Sequence, residues 1–355
     1  MRSLLLLGLL AVAACAAETD AEDATADGAE SSEDALSTSA IESYTPVVPP
    51  EERVATGPGP IATQLGAPIA EGHHLSVIRS LVINGKPAKL VVDADTLVTS
   101  LVETRLLEAG STRSSFTGTP YEKSLASLAS GTKTLSHLGP EAPRAAAEQF
   151  ALTIDMCQSS KPWEKRLFDW IVSLSDQVHA PIPIGIAMTG VWAKAHPSEL
   201  DQIHAWQAQG KLAVTWVNHS TTHPLHCKND SCSKATFLTE PGTDMDEEVM
   251  GLERSLLARG MVPSTLFRFP GLVHNAERLQ QLARLSLMPL DADAWIAKGE
   301  PIKDGAVVLV HGNGNEPIGI TGFLKQVQTG ARATNLASGK AKLVSPLLVA
   351  PAAPH

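Results

Sequence analysis

The chain of 355 residues lacks the basic excess that nucleic-acid-binding proteins carry, with 28 lysines and arginines against 38 acids and a formal charge of −10. Residues 16–50 contain nine of the acids and no lysine or arginine. Without these nine acids and Arg2, the charge of −10 falls to about −2, so the remainder is nearly neutral. Because no basic stripe is present, we predict no nucleic-acid partner. No partner protein is evident either.

The amino-terminal apolar run is too short to be a permanent membrane anchor. Leu4 to Ala11 is uncharged but cannot span a bilayer as a helix. With Arg2 before it and small residues after it, this run is typical of a secretory signal. It ends in Val12-Ala13-Ala14-Cys15, which resembles a bacterial lipobox; an ordinary cleaved signal peptide is the alternative. We predict lipid modification at Cys15, a membrane contact through the lipid, and export to the cell envelope, periplasmic or on the outer surface.

The region that follows the signal changes in composition. Residues 16–50 bury too little apolar surface to fold, which predicts a disordered acidic tether, and residues 45–72 are rich in Pro and Gly. Asn84-Gly85, between two apolar β-branched runs, predicts a hairpin. The predicted division is a signal at 1–15, a linker at 16–72, a small, partly β region of unknown fold and role at 73–147, an α/β domain at 148–330 and a tail at 331–355.

Three cysteines follow the signal: Cys157, Cys227 and Cys232. Cys227 and Cys232 lie five residues apart in a loop rich in Ser, Asn and Asp. An oxidising compartment would allow them to pair, so we predict a disulfide between them. Two unpaired thiols or a metal-binding pair are the alternatives.

From residue 148 onward, strand patterns and helix patterns alternate. The alternation predicts an α/β domain with a largely parallel sheet or barrel, whose chemistry lies at the carboxyl ends of the strands. Predicted strands cover 149–155, 182–188, 212–217, 266–269 and 306–310, and predicted helices cover 162–178, 197–209, 246–259 and 276–285.

Two histidines directly follow one of these strands, in His219-Ser-Thr-Thr-His223. Imidazoles four residues apart can bind one metal ion if the backbone is helical or turn-like. Surface histidines in a polar loop are the alternative. His226 is close enough in sequence to be a further ligand, a supporting residue or neither.

Other polar residues also end apolar strands. Asp155 could deprotonate a metal-activated water, or it could cap a helix. Arg268 could hold a carboxylate, or it could lie at the surface in a turn. His311 could protonate a leaving amine, or be a core histidine with a partner. Asp291 and Asp293 could orient His311, or lie in a solvated loop.

Taken in order, these segments resemble the polysaccharide deacetylases of carbohydrate esterase family four, which share a NodB-type domain. The resemblance extends over about residues 148–330, and its motifs begin with the family's Thr-Phe-Asp-Asp and His-Ser/Thr-x-x-His. The matching segments here are Thr153-Ile154-Asp155-Met156, His219 to His223, Arg268 to Gly271 for Arg-x-Pro-x, Asp291 to Trp295 for an Asp/Trp segment, and Leu309-Val310-His311 for a closing strand.

The resemblance implies a distorted (β/α) barrel, often with fewer than eight strands, and a role for each matched residue. Asp155 would be the general base, and Arg268 would hold it. His311 would be the general acid, tuned by Asp291 or Asp293. The remaining roles would be metal binding by His219 and His223, with zinc the usual ion, and substrate binding by Pro270, Gly271 and Trp295.

The implied reaction removes acetyl from an N-acetylated glycan and releases acetate. The family's second Asp, its third metal ligand, falls on Met156, and a thioether is a poor ligand for such an ion. On this alignment Met156→Asp would tighten metal binding, while the Cys157 thiolate could substitute for the missing ligand. A catalytically inactive module that binds glycan or a partner protein, and a metal-dependent amidase acting on a non-sugar amide, are the alternative functions.

Overall fold

The computed structural model describes residues 39–56, 62–63, 72–109, 118–129, 135–138, 148–227 and 235–351. The predicted signal, the lipid site at Cys15 and most of the acidic tether lie outside these residues, as does Cys232. Among the described helices, none combines the length and the apolar character needed to cross a membrane.

The amino-terminal part forms a six-stranded antiparallel sheet in the order β2-β5-β4-β3-β1-β6. The predicted hairpin is confirmed, because Asn84 and Gly85 join β3 to β4 with φ of 49° and 74°. Positive φ at both positions is the geometry of a type I′ turn. The strands are β1 (Ile41–Ala55), β2 (Ala62–Thr63), β3 (His74–Ile83), β4 (Lys86–Asp93), β5 (Thr99–Glu103) and β6 (Leu107–Ala109).

The linker predicted at residues 16–72 is corrected, because it contains strand β1 (Ile41–Ala55). The strand pairs with β3 along most of its length, and its register shifts between Pro46 and Glu51. Pro49 and Pro50 fall within that shift, where a missing N–H costs no regular ladder bond. The prolines therefore interrupt the pairing without ending the strand.

The rest of the chain alternates strands and helices, as predicted. Its elements are α1 (Pro120–Ala129), β7 (Leu135–Leu138), β8 (Glu148–Met156), α2 (Lys165–Val178), β9 (Ile182–Met188), α3 (Gly190–Ala195), α4 (Pro197–Ala208), β10 (Leu212–Asn218), α5 (Met245–Ala258), β11 (Pro263–Phe267), α6 (Ala276–Arg284), β12 (Met288–Pro289), β13 (Ala294–Trp295), β14 (Val307–His311), α7 (Pro317–Val327), α8 (Gly330–Ala337), β15 (Ala341–Leu343) and β16 (Val349–Pro351).

Seven parallel strands form a curled sheet in the order β12-β11-β10-β9-β8-β14-β13. This is an incomplete (β/α) barrel, and the predicted α/β fold class is confirmed. Strand β15 also pairs with β8 in parallel, at the amino-terminal end of β8. The segment expected to be a tail after residue 330 thus contributes α8 and a strand to the domain.

Strand β8 separates two cores by the alternation of its side chains. Ile154 and Met156 belong to the apolar cluster that includes residues of the surrounding helices. Ala151 belongs to a second cluster with residues from the insides of neighbouring strands. Since successive side chains of a strand point to opposite faces, Asp155 lies on the inner face with Ala151. This alternation decides which side chains of β8 point into the barrel at its carboxyl edge.

A buried ion pair joins the amino-terminal sheet to the barrel. Arg79 of β3 donates to Glu253 of α5 from Nε at 2.8 Å and from Nη2 at 2.9 Å, and both side chains are essentially unexposed. The Tyr44 hydroxyl donates to the same carboxylate at 2.8 Å. Burial, with the nearby Glu253, raises the pKa of Tyr44 well above its ordinary value, so the hydroxyl keeps its proton. The two sheets therefore pack as one body around this pair.

Candidate functional site

The polar residues singled out in the sequence meet at the carboxyl edge of the parallel sheet. Strand register places His311 of β14 directly beside Asp155 of β8. His219 follows β10, and Arg268 follows β11, where its backbone N–H donates to the Asn218 carbonyl at 2.7 Å. The neighbouring parallel strands thus end at the same edge of the sheet, and the polar residues at their ends lie close together.

The loop after β10 holds the two histidines in a turn and not in a helix. Ser220 and His223 have φ of 72° and 49°, which is unusual for residues other than glycine. The Ser220 hydroxyl accepts from the His223 backbone N–H at 3.0 Å. Thr221 is fixed to α5, since its N–H donates to the Glu248 carbonyl at 2.8 Å and its hydroxyl donates to the Glu247 carbonyl at 2.9 Å. Backbone strain of this kind is held by surrounding contacts and is concentrated at functional sites.

His219 is oriented so that one ring nitrogen can bind a metal. Its Nδ1 lies 2.8 Å from the Arg268 carbonyl, which can only accept, so Nδ1 carries the proton. The lone pair is therefore on Nε2, which lies 3.7 Å from Oδ2 of Asp155. Burial lowers the pKa of His219 to about 3, despite the opposing effect of the Arg268 carbonyl, and keeps the ring in the neutral form that ligates metals.

His223 is completely buried, and neither of its ring nitrogens has a hydrogen-bond partner among the described residues. Its ring centroid lies 4.9 Å from that of His219, edge to face. Burial, together with His219, holds the pKa of His223 well below its usual value. Since a buried imidazole without partners is costly, it indicates a ligand such as a metal ion. Two neutral imidazoles with free lone pairs fit a divalent metal such as zinc.

The predicted substrate residues Pro270 and Gly271 lie behind this histidine pair. Gly271 has φ of 62°, and a Cβ at this position would lie 2.5 Å from the Phe237 ring. Phe237 in turn packs edge to face on His223 with centroids 5.7 Å apart. Glycine therefore allows Phe237 to support His223. Pro270 is buried in the same turn, and binding of substrate by either residue stays a prediction.

Asp155 is held by a buried arginine, as the motifs led us to expect. Nη1 of Arg268 donates to Oδ1 of Asp155 at 3.1 Å, and Nη2 donates to the Thr153 hydroxyl at 3.0 Å. Arg268 is unexposed and Asp155 only 3% exposed. A carboxylate paired with a buried arginine keeps a fixed direction. One oxygen of Asp155 is thus occupied by Arg268, and the other faces His219.

His311 is held by a carboxylate that the sequence analysis did not identify. Its Nδ1 lies 2.7 Å from Oε2 of Glu316, and Nε1 of Trp295 donates to the same oxygen at 2.9 Å. Glu316 therefore lies at this nitrogen, and tuning of His311 by Asp291 or Asp293 stays a prediction. Asp293 accepts from the Val307 N–H at 2.8 Å and joins β13 to β14.

Asp291 lies on the arginine side of the site, because its backbone carbonyl accepts from Nη2 of Arg268 at 3.4 Å. Trp295, a predicted substrate residue, has its ring 5.5 Å from that of His311 and lies under the Lys298 ammonium at 3.7 Å. Both residues therefore belong to the wall of the site. Glu316 could have been suspected from its place in the loop after β14, one residue before the amino-terminal Pro317 of α7.

We expect Glu316→Gln to lower turnover by about 10- to 100-fold, because the imidazole loses the carboxylate that fixes its tautomer and stabilises its charged form. The neutral amide still accepts a hydrogen bond, so the protein should stay folded. The measurement is the rate of acetate release, with circular dichroism to confirm that the variant is folded. Wild-type turnover would contradict this positioning role.

Met156 does not occupy the position of a metal ligand. It is unexposed and packs in the helix-side cluster, and a Cβ on Gly312 would lie 2.7 Å from its sulfur. The tighter metal binding expected of an aspartate at 156 is therefore not supported, because strand alternation points this side chain away from Asp155. Cys157 lies on the site face, with Sγ 3.5 Å from Nε2 of His219. Ligand atoms of Cys157, His219 and His223 all lie within 4.8 Å of one another.

Cys157 and Cys227 both take part in disulfide bonds. The predicted pairing of Cys227 with Cys232 involves a residue outside the described ranges, so that pairing stays a prediction. His226, a possible further ligand, is not a member of the Cys157–His219–His223 group.

No family model matches the chain. Similar solved structures include the family 4 carbohydrate esterase from Streptomyces lividans in complex with acetate, at 18% identity and a TM-score of 0.38, covering 56% of this chain and 93% of that one. A chitin deacetylase from the fungal pathogen Colletotrichum lindemuthianum has 17% identity, a TM-score of 0.39 and coverages of 61% and 89%. A family 4 pseudoenzyme from Bacillus anthracis has 16% identity, a TM-score of 0.34 and coverages of 56% and 68%.

Proposed function

We propose that the chain is a metal-assisted hydrolase that removes acetyl groups from an N-acetylated polysaccharide. One observation carries the proposal: a buried carboxylate and a histidine, each held by its own partner, flank a pair of neutral imidazoles. Asp155 is held by Arg268, and His311 is held by Glu316. Amide hydrolysis needs a base on one side and an acid on the other, with a charge-stabilising centre near both.

The residues act in a definite order in this proposal. His219 and His223 would hold a divalent metal, which when bound would supply the positive charge that acidifies the attacking water and polarises the acetyl carbonyl. Asp155 accepts the proton of that water as its oxygen bonds to the carbonyl carbon. His311 then donates a proton to the nitrogen while the carbon–nitrogen bond breaks, and acetate and the free amine leave. Arg268 fixes one oxygen of Asp155 and leaves the other directed at His219, and Glu316 orients His311.

The polymeric substrate rests on the resemblance in motif order, and export through the predicted signal would place the activity in the cell envelope. Anchoring through Cys15 would hold the enzyme near cell-wall glycan. A second candidate function follows from Cys157: with its sulfur in a disulfide, the group has only two unmodified donors. Such a protein could bind glycan without hydrolysing it.

The test measures zinc content and acetate release together on purified protein, with N-acetylated chitooligosaccharides and peptidoglycan as substrates. We expect acetate from at least one substrate, and loss of both zinc and acetate in His219→Ala, because the remaining imidazole is a weak site alone. Circular dichroism checks that the variant is folded. Zinc-loaded protein that binds glycan but releases no acetate would favour the binding module over the hydrolase.

A further inference from the structure

The ligand atoms around the histidine pair indicate how metal binding at this site is regulated. This inference rests on the proposed function only for the biological purpose of that regulation. We propose that Cys157 is the third metal ligand and that the oxidation state of its sulfur controls metal binding. In the disulfide the thiolate is withheld, and reduction releases it to complete a site with His219 and His223. A carboxylate has no part in this ligand set.

The spacing of the donors is that of a zinc site. Zinc lies roughly 2.3 Å from a cysteine sulfur and 2.0–2.1 Å from a histidine nitrogen in tetrahedral geometry, which places the two ligand atoms roughly 3.5–3.6 Å apart. Sγ of Cys157 and Nε2 of His219 lie 3.5 Å apart. His223 completes the group within the common 4.8 Å limit. A small movement of the imidazole of His223 would close the triangle around one ion.

The contact between Cys157 and His219 also lacks a hydrogen. A disulfide sulfur has no proton to donate, and Nδ1 of His219 holds the ring proton against the Arg268 carbonyl. Nε2 and Sγ therefore face each other with lone pairs. The nearby Oδ2 of Asp155, 3.7 Å from Nε2, adds further negative charge. Donor atoms that lie this close together without a hydrogen between them suit a cation.

The backbone holds Cys157 in this position independently of the disulfide. Its carbonyl accepts from Nδ2 of Asn313 at 3.0 Å, and Asn313 is itself fully buried in the loop after His311. The carbonyl of Met156, the preceding residue, accepts from the Thr189 hydroxyl at 2.9 Å. Reduction would therefore free the sulfur without releasing the chain that carries it.

The chemistry of the switch balances with a thiol reductant. Two thiol molecules reduce the Cys157 disulfide to two protein thiols and are themselves joined in a disulfide. The Cys157 thiol then loses its proton to solvent as it binds the metal, because the thiolate is the ligand. Thiolate is a softer donor than carboxylate, so zinc and cobalt are preferred over magnesium or calcium. Reduction would thus raise the affinity of the site for zinc, and oxidation would lower it to that of the histidine pair alone.

The experiment measures zinc affinity of the full chain by competition with a chromophoric chelator, before and after reduction by a phosphine under anaerobic conditions. Loss of an outer-shell partner alone costs about 10- to 100-fold in affinity, so the missing ligand in the oxidised form should cost at least about 100-fold. Cobalt(II) should show a sulfur-to-metal charge-transfer band only in the reduced wild type. Alkylation and mass spectrometry confirm that Cys157 is reduced.

Three variants make the result specific to Cys157. Cys157→Ser should bind zinc weakly in both states. Cys157→Asp should bind zinc tightly regardless of reductant, which separates Cys157 from any other disulfide that is reduced. Met156→Leu, on the opposite face of the strand, should behave as wild type.

Equal zinc affinity in oxidised and reduced wild type would overturn the proposal, as would reduced Cys157→Ser matching reduced wild type. These outcomes do not depend on acetate release. Redox-linked zinc binding without acetate would therefore reject the hydrolase while leaving the switch in place.

Discussion

Asp155→Asn is expected to slow acetate release by about 10²–10⁴-fold, the contribution of a positioned proton-transfer group. The amide retains the size of the carboxylate and still accepts from Arg268, whose Nη1 lies 3.1 Å from Oδ1 in the wild type. It cannot take the proton of the attacking water. Turnover should therefore fall while zinc content stays at the wild-type level, because the carboxylate is not one of the three grouped donors.

The matched control is Asp304→Asn. Asp304 accepts from the Gln149 backbone N–H at 2.9 Å, at the opposite end of the same strand β8. This substitution makes the same chemical change far from the carboxyl edge, and acetate release should stay within about twofold of wild type, since sites without shared partners do not couple. Near-normal turnover of Asp155→Asn would remove this residue from the mechanism.

Met156→Asp is expected to destabilise the fold by about 3–5 kcal/mol, the range for losing a large buried apolar side chain and burying a polar group without a partner. Met156 is completely buried among the apolar residues between β8 and the helices. An aspartate there would lie among apolar side chains that cannot stabilise its charge. Zinc affinity of the folded fraction should not rise, since the carboxylate points away from the histidine pair.

Urea denaturation followed by circular dichroism measures the loss, with Met156→Leu as the control. A volume-conserving swap in a core typically costs less than about 1.5 kcal/mol. Wild-type stability of Met156→Asp together with tighter zinc binding would show that residue 156 faces the site. That outcome would also return Met156 to the ligand position suggested by the motif alignment.

The barrel was predictable because its signals are local. The strand predicted at 182–188 is observed as Ile182–Met188, and the helix predicted at 197–209 ends one residue earlier, at Ala208. Each of these elements has an apolar periodicity that can be recognised within its own segment. The sheet then brings the carboxyl ends of the strands together. The motif residues were found for the same reason, since each follows a strand that could be recognised by itself.

The amino-terminal strand β1 was missed because its pairing is not local. Nothing in a stretch containing Pro46, Pro49 and Pro50 indicates a strand, and the partner strand β3 begins only at His74. Strand β3 provides the hydrogen bonds that hold β1 on either side of the register shift. A local sequence pattern does not show such a distant partner. Tertiary pairing thus overrode an unfavourable local composition.

The role of Glu316 and the direction of the Met156 side chain were both missed from the sequence, for opposite reasons. Glu316 reaches His311 only because the loop after β14 folds back towards the strand end, which is a tertiary event that no periodic pattern reports. The direction of Met156 was present in the sequence, since the period of two that makes Asp155 face inward makes its neighbour face outward. The alignment of two successive aspartates in the family motif obscured that simpler rule.

Helix α5 contacts both the loop that carries the two histidines and the amino-terminal sheet. On one side the Val249 carbonyl accepts from Asn218 and the Glu248 carbonyl accepts from Thr221, which fixes the histidine loop. On the other side the buried Glu253 receives Arg79 from the amino-terminal sheet. Cutting the chain before residue 148 would remove Arg79 and Tyr44, the partners of Glu253, and would expose the apolar side of α5 that packs on the amino-terminal sheet. The apparent accessory sheet is thus part of the scaffold that holds both histidines.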